Sequence, residues 1–217
     1  MSGIKNLIFD LGGLLIRLDF NRTISLFHQL FSKELSLLDK YYKEGFFEQY
    51  ELGAISEAEF LNTLKGIDET ITDIEIINAW NAMLLDIPTD GIQLLRELKA
   101  EGYNLSLLSN TNTLHLSCIL DKLRMQHGLN DFNKLFDQLY YSHEIHLRKP
   151  DVEIYEYVLH ELKASPNQAV FFDDSEENIK AAAQLGIHAF LHPQNGSLRE
   201  TVQKMKTQMD ILDQMGQ

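Results

Sequence analysis

The chain has 217 residues, 44% hydrophobic and 24% charged, ordinary proportions for a protein that packs one core without covalent staples. Its 19 Lys and Arg against 32 Asp and Glu leave a formal charge of −13, which argues against a nucleic-acid backbone or an anionic membrane surface as partner. The single cysteine, Cys118, excludes an intrachain disulfide and a cysteine-built metal cluster.

The chain passes from Met1-Ser2-Gly3-Ile4-Lys5-Asn6 almost directly into its first strand, with no basic stretch and long apolar run of a leader. No apolar run approaches the ~20 residues of a membrane span. A cytoplasmic protein is expected. Leu7-Ile8-Phe9 then runs into Asp10-Leu11-Gly12-Gly13, a buried strand delivering a carboxylate to a tight turn at a sheet edge.

Beyond it the pattern becomes helical. Ile24, Phe27, Phe31, Leu35 and Leu38 recur at spacings of three and four, as one helix face or two broken ones. A short helical piece covers Gly45 to Tyr50 and ends near Gly53. Ser56 with Glu59, and Thr72 with Glu75, read as capping boxes opening helices through Leu64 and Leu84. Residues 17–85 thus read as helical throughout.

After Pro88 the pattern alternates. A helix over Ile92 to Ala100 precedes a buried strand, Leu105 to Leu108, that ends in Ser109-Asn110-Thr111. A helix over Leu114 to Met125 precedes a strand within Leu135 to Tyr141, and a further helix enters through Lys149-Pro150. Ala169 to Phe172 is a strand ending in Asp173-Asp174-Ser175, followed by a helix to Leu185, a strand over Ile187 to Leu191 and a terminal helix. Strands alternating with helices indicate a parallel sheet. The organisation is a core domain, 1–16 and 87–217, with a helical cap domain, 17–86, inserted after the first strand beside Asp10 like a lid.

Each polar cluster alone reads as a turn or a helix cap. Together, at successive strand ends, they converge on the edge of a parallel sheet where ligands bind. Carboxylates able to hold Mg²⁺, small hydroxyl and amide donors, and a lysine form an inventory suited to phosphoryl transfer.

In order and residue type, Ile8-Phe9-Asp10-Leu11-Gly12-Gly13, Leu107-Leu108-Ser109-Asn110-Thr111, Arg148-Lys149-Pro150 and Phe171-Phe172-Asp173-Asp174-Ser175-Glu176-Glu177-Asn178 resemble the four motifs of the haloacid dehalogenase superfamily. The resemblance covers nearly the whole chain. It implies an α/β fold, a Rossmann-like parallel sheet flanked by helices with an inserted α-helical cap domain. Within the superfamily the chain is most similar to phosphatases acting on α-D-glucose 1-phosphate, through Phe20-Asn21-Arg22, Gly53-Ala54-Ile55-Ser56 and the doubled Asp173-Asp174. By this resemblance Asp10 is a nucleophile that forms a phosphoaspartyl enzyme. Mg²⁺ lies among Asp10, the Gly12 carbonyl and Asp174. Ser109 and the Asn110 amide hold phosphoryl oxygens, Lys149 pairs with Asp10 and the phosphate, and Asp173 and Asn178 support the metal site from behind. The implied partner is a small phosphorylated metabolite, a sugar phosphate with an anomeric C1 phosphate among the candidates, acted on by a monomer or weak homodimer.

One position departs from the pattern. Most phosphatases of the superfamily place a second aspartate, the general acid, two residues after the nucleophile; here Gly12 stands there. General acid–base help is typically worth ~10²–10⁴-fold. A good leaving group, water, or a cap side chain (Asp19, His28, Glu48 or Glu51) would have to compensate; otherwise the protein is a weak or inactive member that binds a phosphorylated ligand or a protein. The rival enzyme is a metal-independent 2-haloacid dehalogenase, against which the doubled carboxylate argues, with Arg17 its nearest arginine after the first motif. Trp80 reads as cap core or a stacking wall for substrate. Arg22 reads as an ion-pair partner or substrate contact, and His143 and His146, flanking Glu144, as a polar loop or a metal site.

Overall fold

Five strands, β1 (Asn6–Phe9), β2 (Asn104–Ser109), β3 (Gln138–Tyr141), β4 (Ala169–Asp173) and β5 (His188–Leu191), form one parallel sheet in the order β3-β2-β1-β4-β5. The computed structural model describes residues 4–32, 34–194 and 196–215. The strands read as near-continuous apolar runs because helices cover both faces. Leu7, Phe9, Leu107, Val170 and Phe172 face one layer, and Ile8, Leu108 and Phe171 the other. β1 lies between β2 and β4, with Phe9 level with Leu107 and Phe172. That register brings the ends of the three central strands to one edge. The fold is a Rossmann-like parallel sheet flanked by helices.

Between β1 and the next core helix stand α1 (Phe20–Leu30), α2 (Leu35–Lys43), α3 (Phe46–Glu51), α4 (Glu57–Lys65) and α5 (Asp73–Asn81). Both capping boxes are formed: Glu59 N–H donates to Ser56 Oγ at 3.2 Å, and Glu75 N–H to Thr72 Oγ1 at 3.3 Å, each with the reciprocal bond. The core continues with α6 (Thr89–Ala100), α7 (Thr113–His127), α8 (Ser142–Ile145), α9 (Val152–Leu162), α10 (Glu176–Gln184) and α11 (Leu198–Met215). α6, α7 and α11 pack on the Phe9 face, α9 and α10 on the Ile8 face. Among the described residues no helix is long and apolar enough to cross a membrane.

The sequence pattern carries α5 through Leu84, but the helix stops at Asn81. The backbone beyond it pairs with the chain that enters the insert: Leu84 bridges Leu18, Leu85 N–H donates to Arg17 O at 2.9 Å, and Asp19 N–H to Met83 O at 2.9 Å. Residues 17–85 are therefore not helical throughout; their two ends zip into a neck.

The insert also touches the core away from this neck. α8, which the pattern reads as loop, meets the end of α3. The Ser142 hydroxyl donates to Glu51 O at 2.6 Å and accepts from Thr111 N–H at 2.9 Å, and His146 Nδ1 donates to Leu52 O at 3.1 Å. Gly53, at φ +69°, lies against this helix so closely that an added Cβ would stand 2.3 Å from the His143 carbonyl oxygen. Gly53→Ala combines left-handed strain with that collision. It should lower the unfolding free energy by more than about 1 kcal/mol in a urea titration; an unchanged midpoint would remove Gly53 from the contact.

On α7, His115 stacks against Trp80 of α5 with ring centroids 4.6 Å apart, and its Nδ1 donates to Asn81 Oδ1 at 2.8 Å. Burial holds its pKa down, from 6.5 to about 3. The unfolded chain thus takes up a proton near pH 6.5 that the folded chain refuses until near pH 3. Stability falls as pH drops through that window, by up to about 1.4 kcal/mol per pH unit. His115→Phe keeps the stacking ring and should flatten the dependence of unfolding free energy on pH between about 6 and 4.5; an unaltered slope would assign it to other groups.

Candidate active site

β1 ends at Phe9, and the backbone of Asp10 adds one more ladder bond, N–H to Phe172 O at 2.9 Å. This fixes the Asp10 carboxyl at the edge of the sheet, 7% exposed. β4 delivers Asp173 beside it, fully buried. The Lys149 ammonium, 2% exposed, lies between them and donates to Asp10 Oδ1 at 2.5 Å and to Asp173 Oδ2 at 2.7 Å. Asp174 completes a group of three carboxylates, each with an oxygen within 4.8 Å of the others.

The charges are unbalanced: one ammonium faces three carboxyls. Burial pushes the Asp10 carboxyl up to about 7 against the pull of Lys149, with Asp173 and Asp174 adding to the rise. Burial, then the Asp173 charge, lifts Asp174 above the usual carboxylate range. Burial alone would lower the Lys149 ammonium, but Asp10 and Asp173 outweigh it and hold its pKa above normal. An all-oxygen donor set whose three carboxyls outnumber its one ammonium fits a hard divalent cation. Asp10 and Asp174 have carboxylate oxygens to offer it.

The surrounding groups brace this arrangement. Both oxygens of Asp173 are engaged: Ser175 N–H reaches Oδ1 at 2.8 Å, and the Asn178 amide reaches Oδ1 at 2.9 Å and Oδ2 at 3.0 Å. Asp173 therefore orients Lys149, and Asn178 orients Asp173. The Asn110 side chain grips the backbone of Lys149 from both sides, donating to its carbonyl at 2.8 Å and accepting from its N–H at 2.9 Å. That orients the Asn110 side chain toward Lys149 and leaves its backbone N–H for an anion. Gly13, at φ +70°, lets the turn pass under Asp174, whose Oδ2 would stand 2.0 Å from an added Cβ.

A cavity of about 200 Å³ opens over these groups, lined by Asp10, Gly12, Ser109, Asn110, Lys149, Asp174 and Asn178 from the core and by Phe20, Glu51 and Met83 from the insert. All the sequence-predicted residues line it except Asp173, which lies behind Lys149. Position 12 supplies backbone alone. Of the four cap side chains considered as replacements, Asp19 caps α1 and pairs with Arg22 at 3.5 Å, and Glu51 is the one that lines this cavity. Burial raises the Glu51 pKa in spite of Arg148, 3.5 Å away. His115 and Ile119 of α7 also reach the wall. No motif marks them; their place follows from α7 starting directly after Asn112.

Other candidates fall elsewhere. His143 Nδ1, in α8, donates to Thr111 O at 3.1 Å and His146, the residue that caps α8, donates to Leu52 O, so the two imidazoles tie α8 to neighbouring backbone instead of sharing an ion. Arg17 pairs with Asp86 at 3.2 Å in the neck. Trp80 is core, 6% exposed and stacked at 5.3 Å on Phe47, though one edge borders a second cavity inside the insert.

Known proteins similar to this chain place it in a family. Residues 4–186 match the model of the family described as hydrolase, haloacid dehalogenase-like hydrolase. D-ribitol-5-phosphate phosphatase of Bacteroides thetaiotaomicron is 30% identical over 198 residues, covering 89% of this chain and 94% of that one. Sesquiterpene phosphatase astK of Aspergillus oryzae is 30% identical over 185 residues, covering 84% and 87%. A HAD family enzyme from Bacteroides thetaiotaomicron, solved as a magnesium complex, superposes with a TM-score of 0.80 at 36% identity over 88% of this chain and 94% of that one. A carboxylate delivered by the first strand of a parallel sheet, a lysine that bridges it to a second carboxylate and a third carboxylate beside them thus sit in a chain that belongs to the haloacid dehalogenase-like hydrolase family.

Proposed function

We propose that the chain is a Mg²⁺-dependent phosphatase of small phosphorylated metabolites, working through a phosphoaspartyl intermediate on Asp10 beneath a cap formed by residues 17–86. The observation that carries this reading is the Lys149 ammonium shared by Asp10 and Asp173 at 2.5 and 2.7 Å, with Asp174 alongside. Asp10 Oδ1 is held by Lys149, which leaves Oδ2 to attack phosphorus. A phosphoryl group above it is met by Lys149, the Ser109 hydroxyl and the Asn110 N–H. Asp10, the Gly12 carbonyl and Asp174 would hold the cation, which supplies positive charge against the approach of two anions. Its family setting and the magnesium complex of a relative support this reading. The sugar-phosphate expectation has the ribitol-5-phosphate relative behind it, but the sesquiterpene relative belongs to the same family.

Purified protein should hydrolyse 4-nitrophenyl phosphate with Mg²⁺, stop on chelation and recover on re-addition. Asp10→Asn should lose at least about 10³-fold in kcat, as loss of a nucleophile does. An active Asp10→Asn protein would end the mechanism. Halide release from a 2-haloacid in chelator would favour the metal-independent dehalogenase, which the Asp174 carboxylate disfavours. Absence of turnover with retained phosphate binding would favour a binding protein, the reading that Gly12 keeps open.

Glu51 supplies the proton that position 12 cannot. It lines the Asp10 cavity, and burial favours its protonated form. Glu51→Gln should then cost about 10²-fold or more on an alkyl phosphate, whose alkoxide needs a proton, and under about tenfold on 4-nitrophenyl phosphate, whose phenolate does not. Equal losses on both esters would assign Glu51 to binding or structure.

A further inference from the structure

The second cavity, of about 480 Å³, lies wholly within the insert and shares Phe20, Glu51 and Met83 with the cavity over Asp10. The two are adjoining compartments that share part of their walls, Glu51 included. The inner one is walled by Phe20, Ile24 and Phe27 of α1, Tyr42 of α2, Phe47 of α3 and Trp80 of α5. Phe27 and Phe47 stack on Trp80 at 6.0 and 5.3 Å. They build a rigid aromatic floor. Phe20, Ile24 and Tyr42, 58%, 50% and 69% exposed, are not packed into any core and border the opening. Large apolar side chains left this open around a concave surface mark a place where something apolar docks.

Besides Glu51, the polar groups in the wall are the Thr23 hydroxyl and the exposed His28 and Asp39 side chains and Tyr42 hydroxyl. The Thr23 hydroxyl already donates to Trp80 O at 3.0 Å and accepts from Met83 N–H at 3.1 Å. His28 and Asp39 are exposed residues of the rim. Glu51 stands in the shared wall, where the ester oxygen would lie. A polyol carried into this compartment would trade water for aromatic faces at nearly every hydroxyl, and unmet hydroxyls are costly.

We infer that this compartment receives the alcohol part of the substrate and that the alcohol is a hydrocarbon: the enzyme prefers phosphate monoesters of alkyl or prenyl-type alcohols over those of sugars and polyols. The inference rests on the phosphatase reading above and names its substrate class. The volume holds on the order of fifteen water-sized groups at ~30 Å³ each, enough for a chain of roughly ten carbons.

The test is a series of n-alkyl phosphates, butyl to decyl, against a pentitol 5-phosphate and glucose 1-phosphate, with Mg²⁺ and the full chain. kcat/KM should rise about threefold to fourfold per methylene until the compartment fills, and hexyl phosphate should exceed the polyol ester at least tenfold. A flat series, or a polyol ester favoured tenfold, would overturn the inference and leave the phosphatase reading intact. Ile24→Asp and Tyr42→Asp change exposed residues, and circular dichroism checks their folding. Each should flatten the chain-length series, and a slope kept in both would overturn the assignment to this compartment. If Ile24→Asp instead turned a dimer into a monomer in sedimentation with the slope kept, the apolar rim would be a self-association face. A binding readout separates the two readings. Trp80 is the sole tryptophan and lines the compartment, so its emission should titrate saturably with non-hydrolysable decylphosphonate and Mg²⁺. If no ester is turned over, the phosphatase reading fails. Saturation that Ile24→Asp weakens at least tenfold would then still establish the compartment, and an unresponsive Trp80 would overturn it.

Discussion

One ammonium group holds the site together. Lys149 stands between two buried carboxylates, with a third close by, and without it the edge of the sheet would concentrate like charges in a medium that screens them poorly. The rest of the core can be read as what puts that ammonium there. β1 and β4 are neighbours, so Asp10 and Asp173 arrive side by side. β2, on the other flank of β1, ends one residue before Asn110, whose side chain clasps the Lys149 backbone in both directions. Asn178, in the first turn of α10, fixes Asp173 so that one oxygen faces the lysine. Such an ion cluster contributes little net stability, since desolvation offsets attraction. It survives because the apolar layers on both faces of the sheet supply the folding energy.

The molecule divides its work. The core carries the charges and nothing that would tell one alcohol from another. The insert carries aromatic surface and one carboxyl, Glu51, that lines both cavities. In the proposed reading, Gly12 in place of the usual acid does more than remove a proton donor; it moves proton supply from the turn beside Asp10 to a helix of the insert. In this reading, chemistry and selection of the alcohol meet at one residue.

Much of this was legible in the chain. An apolar run that breaks on Asp-Leu-Gly-Gly announces Asp10, since few other patterns put a carboxylate at a buried strand end. The two capping boxes are local codes, and both formed as written, because their bonds span only three residues. What was not legible depends on distant partners. The end of α5 is set by Arg17 and Leu18, more than sixty residues earlier. The side-chain role of Asn110 is decided by a backbone thirty-nine residues later. α8 is a helix of four residues, and its His143 and the capping His146 are defined by the carbonyls they find. Glu51 reads as an ordinary surface acid until the fold buries it. Trp80 is core by its stacking, and one edge also borders the second cavity.

The fastening of α3 to α8 through Ser142, His146 and the side-chain-free Gly53 has a consequence for how such a protein can change. The helix that carries Glu51 is pinned to the core, whereas Phe20, Ile24 and Tyr42 sit on α1 and α2, whose exposed positions bear no such duty. Mutations that reshape the compartment therefore need not disturb Glu51 or the charge cluster. Evolvability is built in as a separation of helices: one wall is held constant for chemistry, and the facing one is free to drift toward a new alcohol.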